Sequence, residues 1–255
     1  MMKKLFKWEF IYFYKQLKWI VFGVIMLALV TYLFDLLKEA EPITASIHQT
    51  TWFISIVGIV ALPLFTYFIS ITRYYRHVLK DEGYLTHTLP VSKSQIIISK
   101  TIVSYLSFIL VLALSITLAI WIKVIDLEYI NTIYESLGAQ KTDFLIIMIV
   151  TLLSSFSGFL VFYAALSFGF SYNKNEWLMM IVFLIIYYVI YQVLSGLILG
   201  ILLIFKPNIL SNPNEMIEVF LPLGIFQALV GMVIGIFCFF IARYFITKKL
   251  NLKNG

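Results

Sequence analysis

Residues Trp177–Phe205 decide the class of fold, and they form the run WLMMIVFLIIYYVIYQVLSGLILGILLIF. The run contains no charged residue and no proline. A helix needs about 20 apolar residues to cross the hydrocarbon core of a bilayer. The run is apolar on every side, whereas a strand of a membrane β-barrel alternates over about ten residues. We therefore predict a membrane-spanning helix that is longer than one crossing requires.

The composition of the whole chain supports this prediction. Of the 255 residues, 62% are hydrophobic and only 13% are charged, and the mean hydropathy is +0.96. Soluble domains carry about 25% charged residues, so this chain has too few to cover a soluble core. We predict an all-α integral membrane protein. Its one cysteine, Cys238, excludes an internal disulfide and a cysteine-based metal cluster.

Six runs of this kind occur along the chain, and together they predict a six-span transmembrane domain over residues 19–246. The predicted spans are Trp19–Leu37, Trp52–Thr72, Thr101–Ile122, Phe144–Tyr172, Trp177–Phe205 and Val219–Ala242. Prolines surround the last outer loop, and they predict a broken or re-entrant segment there rather than one straight helix. These prolines are Pro207, Pro213 and Pro222.

Basic residues are distributed unevenly among the loops. Fifteen of the 19 lysines and arginines lie in the amino-terminal segment, the second loop, the fourth loop and the carboxy-terminal tail, and four lie in the other loops. Cytoplasmic loops carry the excess of such residues. We therefore predict that both termini are cytoplasmic, with a tail over residues 247–255, and that the first span is an uncleaved anchor. Because loop orientation accounts for the net charge of +6, no nucleic-acid partner is expected.

Residues 1–18 mix lysines with aromatic and aliphatic side chains such as Phe6, Trp8 and Phe13. A basic amphipathic helix of this type lies in the headgroup layer. We predict an interfacial helix on the cytoplasmic side. The alternative is a simple basic flank of the first span.

Several kinds of chemistry have no residues to support them. The chain has no Walker A sequence and no HExxH motif, and spans two to six contain no Asp, Glu, Lys, Arg or His. We predict no catalytic residue and no metal ligand. Ion-driven transporters place ionisable groups in the membrane, so a transport function would draw its energy from another polypeptide. The pairs Ser157-Gly158 and Ser195-Gly196 are predicted to lie at helix contacts.

A few polar or aromatic residues in the last two spans are candidates for a cargo cavity. The alternative is that they form hydrogen bonds between helices. These candidates are Tyr191, Gln192, Ser195 and Gln227. Ser154, Ser155 and Ser157 of the fourth span are weighed in the same way, and Tyr187 and Tyr188 are weighed as cavity lining against simple packing.

Residues 73–100, here called the connecting segment, form the longest cytoplasmic connection: RYYRHVLKDEGYLTHTLPVSKSQIIISK. We predict a short helix that runs to about Glu82 and stops at Gly83, followed by a second short turn through Leu89. Pro90 is predicted to break the chain, and Ser92 to cap the next helix. The mixture of apolar and charged side chains predicts a docking surface. The alternative is a solvated loop whose apolar residues lie against the membrane.

The part of this segment from Glu82 to Lys100 resembles the sequence between the second and third spans of type-2 ATP-binding-cassette exporter permeases. Those proteins have a Gly and a Leu, then Thr-Leu-Pro-Val-Ser followed by Arg or Lys, then a Ser-Lys pair that enters the third span. The matching residues here are Gly83, Leu85, the run TLPVSK at 88–93, and Ser99-Lys100. The small size resembles the peptide-handling branch, which includes lantibiotic-immunity, bacitracin-resistance and phenol-soluble-modulin exporter subunits.

The resemblance implies a coupling helix near Arg76–Glu82 that docks on a cytoplasmic ATPase. The implied docking set is Arg76, His77, Leu79, Lys80, Asp81, Glu82, Gly83, Tyr84, Leu85, Leu89 and Pro90. It also implies two ATPase copies that bind ATP and Mg²⁺, and a second permease subunit, the same or similar. The implied cargo is an amphipathic or hydrophobic peptide, exported across a bacterial plasma membrane. On this hypothesis the chain holds no cofactor and is not an enzyme by itself.

Three other functions stay open. One is a membrane immunity or sensor protein that binds a peptide without pumping it. Another is an ion-coupled secondary transporter or channel. The third, an intramembrane hydrolase or lipid-modifying enzyme, lacks a nucleophile–base pair in the spans.

Overall fold

The structure, a computed structural model, describes residues 2–37, 42–80, 82–88, 90–136, 141–172, 175–205 and 213–248. Eight α-helices cover most of these residues, a π-helical turn over Tyr75–Leu79 extends the second helix, and no strand occurs in the described ranges. The helices are α1 Met2–Leu37, α2 Pro42–Tyr74, α3 Gly83–Thr88, α4 Lys93–Trp121, α5 Leu127–Ser136, α6 Lys141–Gly169, α7 Glu176–Phe205 and α8 Pro213–Lys248.

Six of these helices, α1, α2, α4, α6, α7 and α8, are long and apolar enough to cross a membrane. This confirms the predicted all-α architecture with six spans. The helices start earlier or end later than most of the predicted spans, because helical backbone continues past the apolar run into residues that carry charge.

Helix α1 is continuous from Met2 to Leu37, with no interruption near residue 18. At 1.5 Å per residue its 36 residues extend about 54 Å, well beyond a hydrocarbon core of about 30 Å. Phe13 and Leu17 are buried in a core cluster with residues of α2 and α4. The first 18 residues therefore belong to the same helix as the first span, and their interfacial position remains a prediction.

The last helix shows a second difference from the sequence analysis. Helix α8 begins at Pro213 and runs through Pro222 to Lys248 without a break. A proline in the first turn of a helix loses no hydrogen bond, which explains the start at Pro213. The predicted break is therefore absent within α8. Pro207 and residues 249–255 of the predicted tail lie outside the described residues.

The chain divides into two compact units, and α2 and α4 each pass from one to the other. The first unit comprises Met1–Thr72 and Ile102–Leu137. Its helices pack through apolar clusters and through hydrogen bonds between hydroxyl groups. The Oγ1 atom of Thr31 in α1 lies 2.7 Å from Oγ of Ser55 in α2, and Ser70 of α2 donates to Ser104 of α4 over 2.5 Å.

One end of the first unit carries a small charged cluster. The carboxylate of Asp35 lies 3.2 Å from Nζ of Lys123 and 3.4 Å from Nε2 of His48. Lys123 follows the end of α4 with a φ of 56°. The amides of Lys123 and Val124 donate to the carbonyls of Ile120 and Ala119, which is the hydrogen-bond pattern of a Schellman cap.

The second unit comprises Arg73–Thr101 and Gly138–Gly255. Its helices α6 and α8 approach closely at Gly235, where an added Cβ would collide with Cβ of Ser157 and lie 3.1 Å from its Cα. This confirms the predicted helix contact at Ser157. Helix α7 is different, because no residue between Glu176 and Ile204 is fully buried within the chain.

Candidate functional site

The connecting segment belongs entirely to the second unit. It begins where α2 widens into the π-helical turn Tyr75–Leu79, in which the amide of Lys80 donates to the carbonyl of Tyr75 over 3.1 Å. Single π-helical turns occur often at functional sites, because they insert an extra residue and redirect the side chains around it. The turn ends at Lys80, where the backbone leaves the helical conformation.

Tyr74 joins the start of the connecting segment to α6. Its side chain is completely buried, its ring stacks on the ring of Tyr163, and its hydroxyl lies 2.7 Å from Oγ of Ser167. Ser167 donates its own proton to the carbonyl of Tyr163 over 2.7 Å, so Tyr74 is the donor toward Ser167. The segment is therefore held to α6 by both an aromatic contact and a hydrogen bond.

Tyr75 makes a second attachment, to the connection between α6 and α7. Its ring centroid lies 4.9 Å from that of Phe170 and 5.4 Å from that of Trp177. The same connection is tight at Gly169, where an added Cβ would lie 2.6 Å from the carbonyl oxygen of Glu176. Nζ of Lys80 lies 5.5 Å from the ring centroid of Tyr75, within cation–π range.

The predicted docking residues divide into buried and exposed groups. Leu79 is only 7% exposed and packs inside the chain, as does Val78. Arg76 and Lys80 are exposed. The sequence analysis placed Leu79 and Lys80 in one docking set, whereas the structure separates them into a buried apolar residue and an exposed cation.

The other described residues of the predicted docking set lie within α3 or close to its ends. Nδ1 of His77 lies 3.4 Å from a carboxylate oxygen of Glu82, which immediately precedes α3. Thr88 and Pro90 are exposed beyond it. Asp81, Leu89 and the side chains of Tyr84 and Leu85 lie outside the described part of the chain.

The helix boundaries in the connecting segment correct part of the sequence analysis. The helix predicted over Arg76–Glu82 ends at Leu79, and Gly83 begins a separate helix instead of ending one. The chain bends at Pro90, as predicted. The amide of Gln95 donates to Oγ of Ser92 over 3.3 Å, and the amide of Ser92 donates to Oε1 of Gln95 over 3.0 Å. This capping box confirms Ser92 as the cap of α4.

Two cations of the connecting segment are buried, which the sequence analysis did not foresee. Arg73 is 5% exposed and Lys100 is 3% exposed. Both were counted as loop residues, but they lie within α2 and α4. Of the other cations of the segment, Arg76 and Lys80 are exposed and Lys93 is half-buried.

A separate cavity of about 300 Å³ lies among α6, α7 and α8. Small residues on α6 and α8 leave the space open, and polar or aromatic side chains line the rest. The small residues are Gly158, Gly224, Ala228 and Gly231; the polar and aromatic ones are Thr151, Ser154, Ser157, Tyr187, Tyr191 and Gln227.

Three of the four cavity candidates are brought together here. Tyr191 and Gln227 line the cavity, and Nε2 of Gln227 donates to Oγ of Ser195 over 2.7 Å. The two hypotheses for these residues therefore coexist, because Gln227 both lines a cavity and bonds to another helix. Gln192 is exposed on α7 and does not line the cavity. The sequence analysis missed Thr151 as a lining residue, since hydroxyl groups are common in membrane helices. Ser154, Ser157 and Tyr187, which it weighed as possible lining residues, do line the cavity.

The architecture defines a class: this is a multi-pass α-helical membrane protein. Among the described residues, no group of three His, Cys, Asp or Glu side chains is close enough to hold a metal ion. No protein-family model matches the chain, and no curated protein or solved structure matches it either.

Proposed function

We propose that this chain is the permease subunit of an ATP-driven exporter, and that its connecting segment docks on a separate cytoplasmic ATPase. The observation that carries the proposal is the form of this segment. It leaves one membrane-length helix through a π-helical turn, forms the short helix α3, and enters the next through a capping box. Its sequence is also the part of the chain that resembles type-2 exporter permeases.

The contacts of the segment support a mechanical role. Arg76 and Lys80 present positive charge at the surface, while Tyr74 and Tyr75 hold the same turn against α6 and the start of α7. A partner that displaced the exposed side of the turn would therefore also displace these helices. Discrete rearrangements of packed helices are a common basis of switching between states.

The proposed partners and cargo are those that an exporter of this kind requires. Two ATPase copies bind ATP and Mg²⁺ and act on a pair of permease subunits, the same or similar. The apolar surface of α7 offers contact area to lipid or to a second permease. The proposed cargo is an amphipathic or hydrophobic peptide, moved outward across the plasma membrane of a bacterium with both termini of this chain in the cytoplasm.

The test is purification of the chain from its native membranes in mild detergent, with identification of co-purifying proteins by mass spectrometry. We expect a soluble ATPase with a Walker A sequence in stoichiometric amount. The double variant Arg76→Glu, Lys80→Glu should reduce its recovery by about tenfold, because rim charges govern encounter and like charges repel.

The control is Lys3→Glu, Lys4→Glu, which makes the same charge change at exposed residues of α1. It should leave recovery unchanged. Absence of any ATPase would overturn the proposal and favour a peptide-binding immunity or sensor protein or an ion-coupled transporter. Equal recovery with both double variants would remove the docking surface from the connecting segment.

A further inference from the structure

Six polar or aromatic side chains meet around the cavity of the second unit, although they are scattered in sequence. Thr151, Ser154 and Ser157 follow the helical spacing of α6, Tyr187 and Tyr191 are one turn apart on α7, and Gln227 comes from α8. In a membrane helix, polar side chains usually face the protein interior or a water-filled cavity. Their convergence on one open space therefore indicates a hydrated site.

The hydrogen bonds of the wall indicate which ligand groups it suits. Ser154 donates its proton to the carbonyl of Thr151 over 2.8 Å, and Ser157 donates to the carbonyl of Ser154 over 2.5 Å. A hydroxyl that donates within its own helix still has lone pairs to accept a bond. The amide nitrogen of Gln227 donates to Ser195, and an amide also carries a carbonyl acceptor. Ser154, Ser157 and Gln227 therefore offer acceptors to the N–H and O–H donors of a ligand.

The charge and size of the cavity further restrict the class of ligand that it can bind. Among the residues that the structure describes, its lining includes no Asp, Glu, Lys or Arg. A bound ion would therefore lose its hydration without gaining a counter-charge, which is costly in a membrane interior. The volume of about 300 Å³ lies at the lower end of small-molecule sites, which range from about 300 to 1,000 Å³. It suits a short fragment of a peptide rather than a whole one.

We propose that the cavity among α6, α7 and α8 is a hydrated binding site for an uncharged group with N–H donors on an apolar body, such as the amides of a short peptide segment. Only the origin of this group, a peptide cargo, rests on the proposed function. The site itself depends on the residues of one unit.

Thiol chemistry tests the site, because the chain has one cysteine and it is buried. In a Cys238→Ala background, Ser154→Cys places a nearly isosteric thiol in the cavity wall. Ser155→Cys is the matched control, since Ser155 is the next residue of the same helix and does not line the cavity. Neutral methyl methanethiosulfonate should modify Ser154→Cys about tenfold faster than Ser155→Cys, because the thiolate that reacts forms in water.

Two further measurements define the ligand class. N-acetyl-leucinamide, a neutral probe with two amides, should slow modification of Ser154→Cys but not of Ser155→Cys. The cationic trimethylammonium methanethiosulfonate should react with Ser154→Cys more slowly than the neutral reagent does, relative to their rates with a free thiol. Both variants must retain the elution profile of the parent chain in detergent.

Equal rates of modification of Ser154→Cys and Ser155→Cys would overturn the proposed site, and the cavity would then be only a defect in helix packing. Faster modification by the cationic reagent, or absence of protection by N-acetyl-leucinamide, would overturn the ligand class. The assay needs no ATPase, so its outcome is separate from the docking experiment. If N-acetyl-leucinamide protects Ser154→Cys but no ATPase co-purifies, the binding site is supported and the exporter is rejected. If an ATPase co-purifies but Ser154→Cys and Ser155→Cys are modified at equal rates, the exporter is supported and the binding site is rejected.

Discussion

The rings of Tyr74 and Tyr163 lie nearly parallel, with centroids 4.0 Å apart and an angle of 5° between their planes. Tyr74 ends α2 and Tyr163 lies within α6, so this contact ties the start of the connecting segment to a membrane-length helix of the same unit. The contact is fully buried at Tyr74 and is extended by the hydrogen bond to Ser167.

The hydrogen bond between Tyr74 and Ser167 should make a measurable contribution to stability. Tyr74→Phe keeps the stacked ring and removes only the donor, and it should lower the free energy of unfolding by about 1 kcal/mol. Ser167→Ala should have a similar effect, and the double variant should cost less than the sum of the two. Unfolding in mixed detergent micelles measures all three. Strict additivity would show that the two groups do not interact.

Variants of Tyr75 distinguish two roles of the connecting segment in the proposed exporter: docking of the ATPase, and transmission of its movement to the membrane helices. Tyr75→Ala removes the ring that contacts Phe170 and Trp177 but keeps the exposed side chains of Arg76 and Lys80. We expect the ATPase to co-purify as with the parent chain, while cargo-stimulated ATP hydrolysis falls. Tyr75→Phe, which keeps the ring, should retain the stimulation. Loss of the ATPase with Tyr75→Ala would assign this residue to docking instead.

Leu79 is expected to act in packing rather than in binding a partner. It is buried within the chain, so Leu79→Ala should reduce stability by about 2–5 kcal/mol through the cavity that it leaves. Its exposed neighbour Lys80 provides the control, and Lys80→Ala should reduce stability by no more than about 1 kcal/mol, the usual contribution of an exposed cation–π contact such as that with Tyr75. Thermal unfolding in detergent distinguishes the two. If Leu79→Ala is as stable as the parent chain but no longer co-purifies with the ATPase, Leu79 contributes to docking rather than to packing.

Gly235 should tolerate no side chain, in contrast to Gly231 one turn earlier. Gly235→Ala brings a methyl group into collision with Ser157, and overpacking of this kind costs about 1–3 kcal/mol. At Gly231 the nearest atom to an added Cβ is Oγ of Ser157, at 3.8 Å, so Gly231→Ala should be nearly neutral. The melting temperatures of the two variants provide the comparison. Equal melting temperatures would show that α6 and α8 can separate at no cost.

Lys123 combines an ion pair with an unfavourable backbone conformation. Both Lys123→Gly and Lys123→Ala remove the contact with Asp35, but only glycine adopts a φ of 56° without steric cost. Lys123→Gly should therefore be more stable than Lys123→Ala by about 1 kcal/mol, the usual penalty for a left-handed residue. The ion pair itself should contribute less than about 1 kcal/mol, because Lys123 is 74% exposed. Equal stability of the two variants would contradict a left-handed backbone here.

The six membrane-length helices could be predicted from sequence because each contains an apolar run that no soluble fold could cover. The ends of these helices could not be predicted in this way. Arg73 and Lys100 marked loop positions by their charge, yet both lie in helices. The cap at Ser92 could be predicted because its sequence pattern is local: a serine is followed three residues later by Gln95.

Other features depend on information that short sequence windows do not contain. Helix α5 has only ten residues and was missed, although Asp126 accepts a hydrogen bond from the amide of Glu128 at its start. The π-helical turn has no distinct periodicity. The cavity requires the rotation of α6, α7 and α8 about their axes, which brings Ser154 toward Gln227 but leaves Gln192 on an outer face.

The lack of any fully buried residue over Glu176–Ile204 of α7 has a consequence for how this chain tolerates mutation. Where no neighbouring side chain of the protein constrains shape, hydrophobicity is the only requirement on most positions. Exchanges among leucine, isoleucine, valine and phenylalanine along α7 should survive selection, except near the residues that meet other parts of the unit. These residues are Trp177, Phe183, Tyr187, Tyr191 and Ser195. Among related chains, α7 should therefore be the helix whose sequence diverges fastest while its hydropathy stays constant.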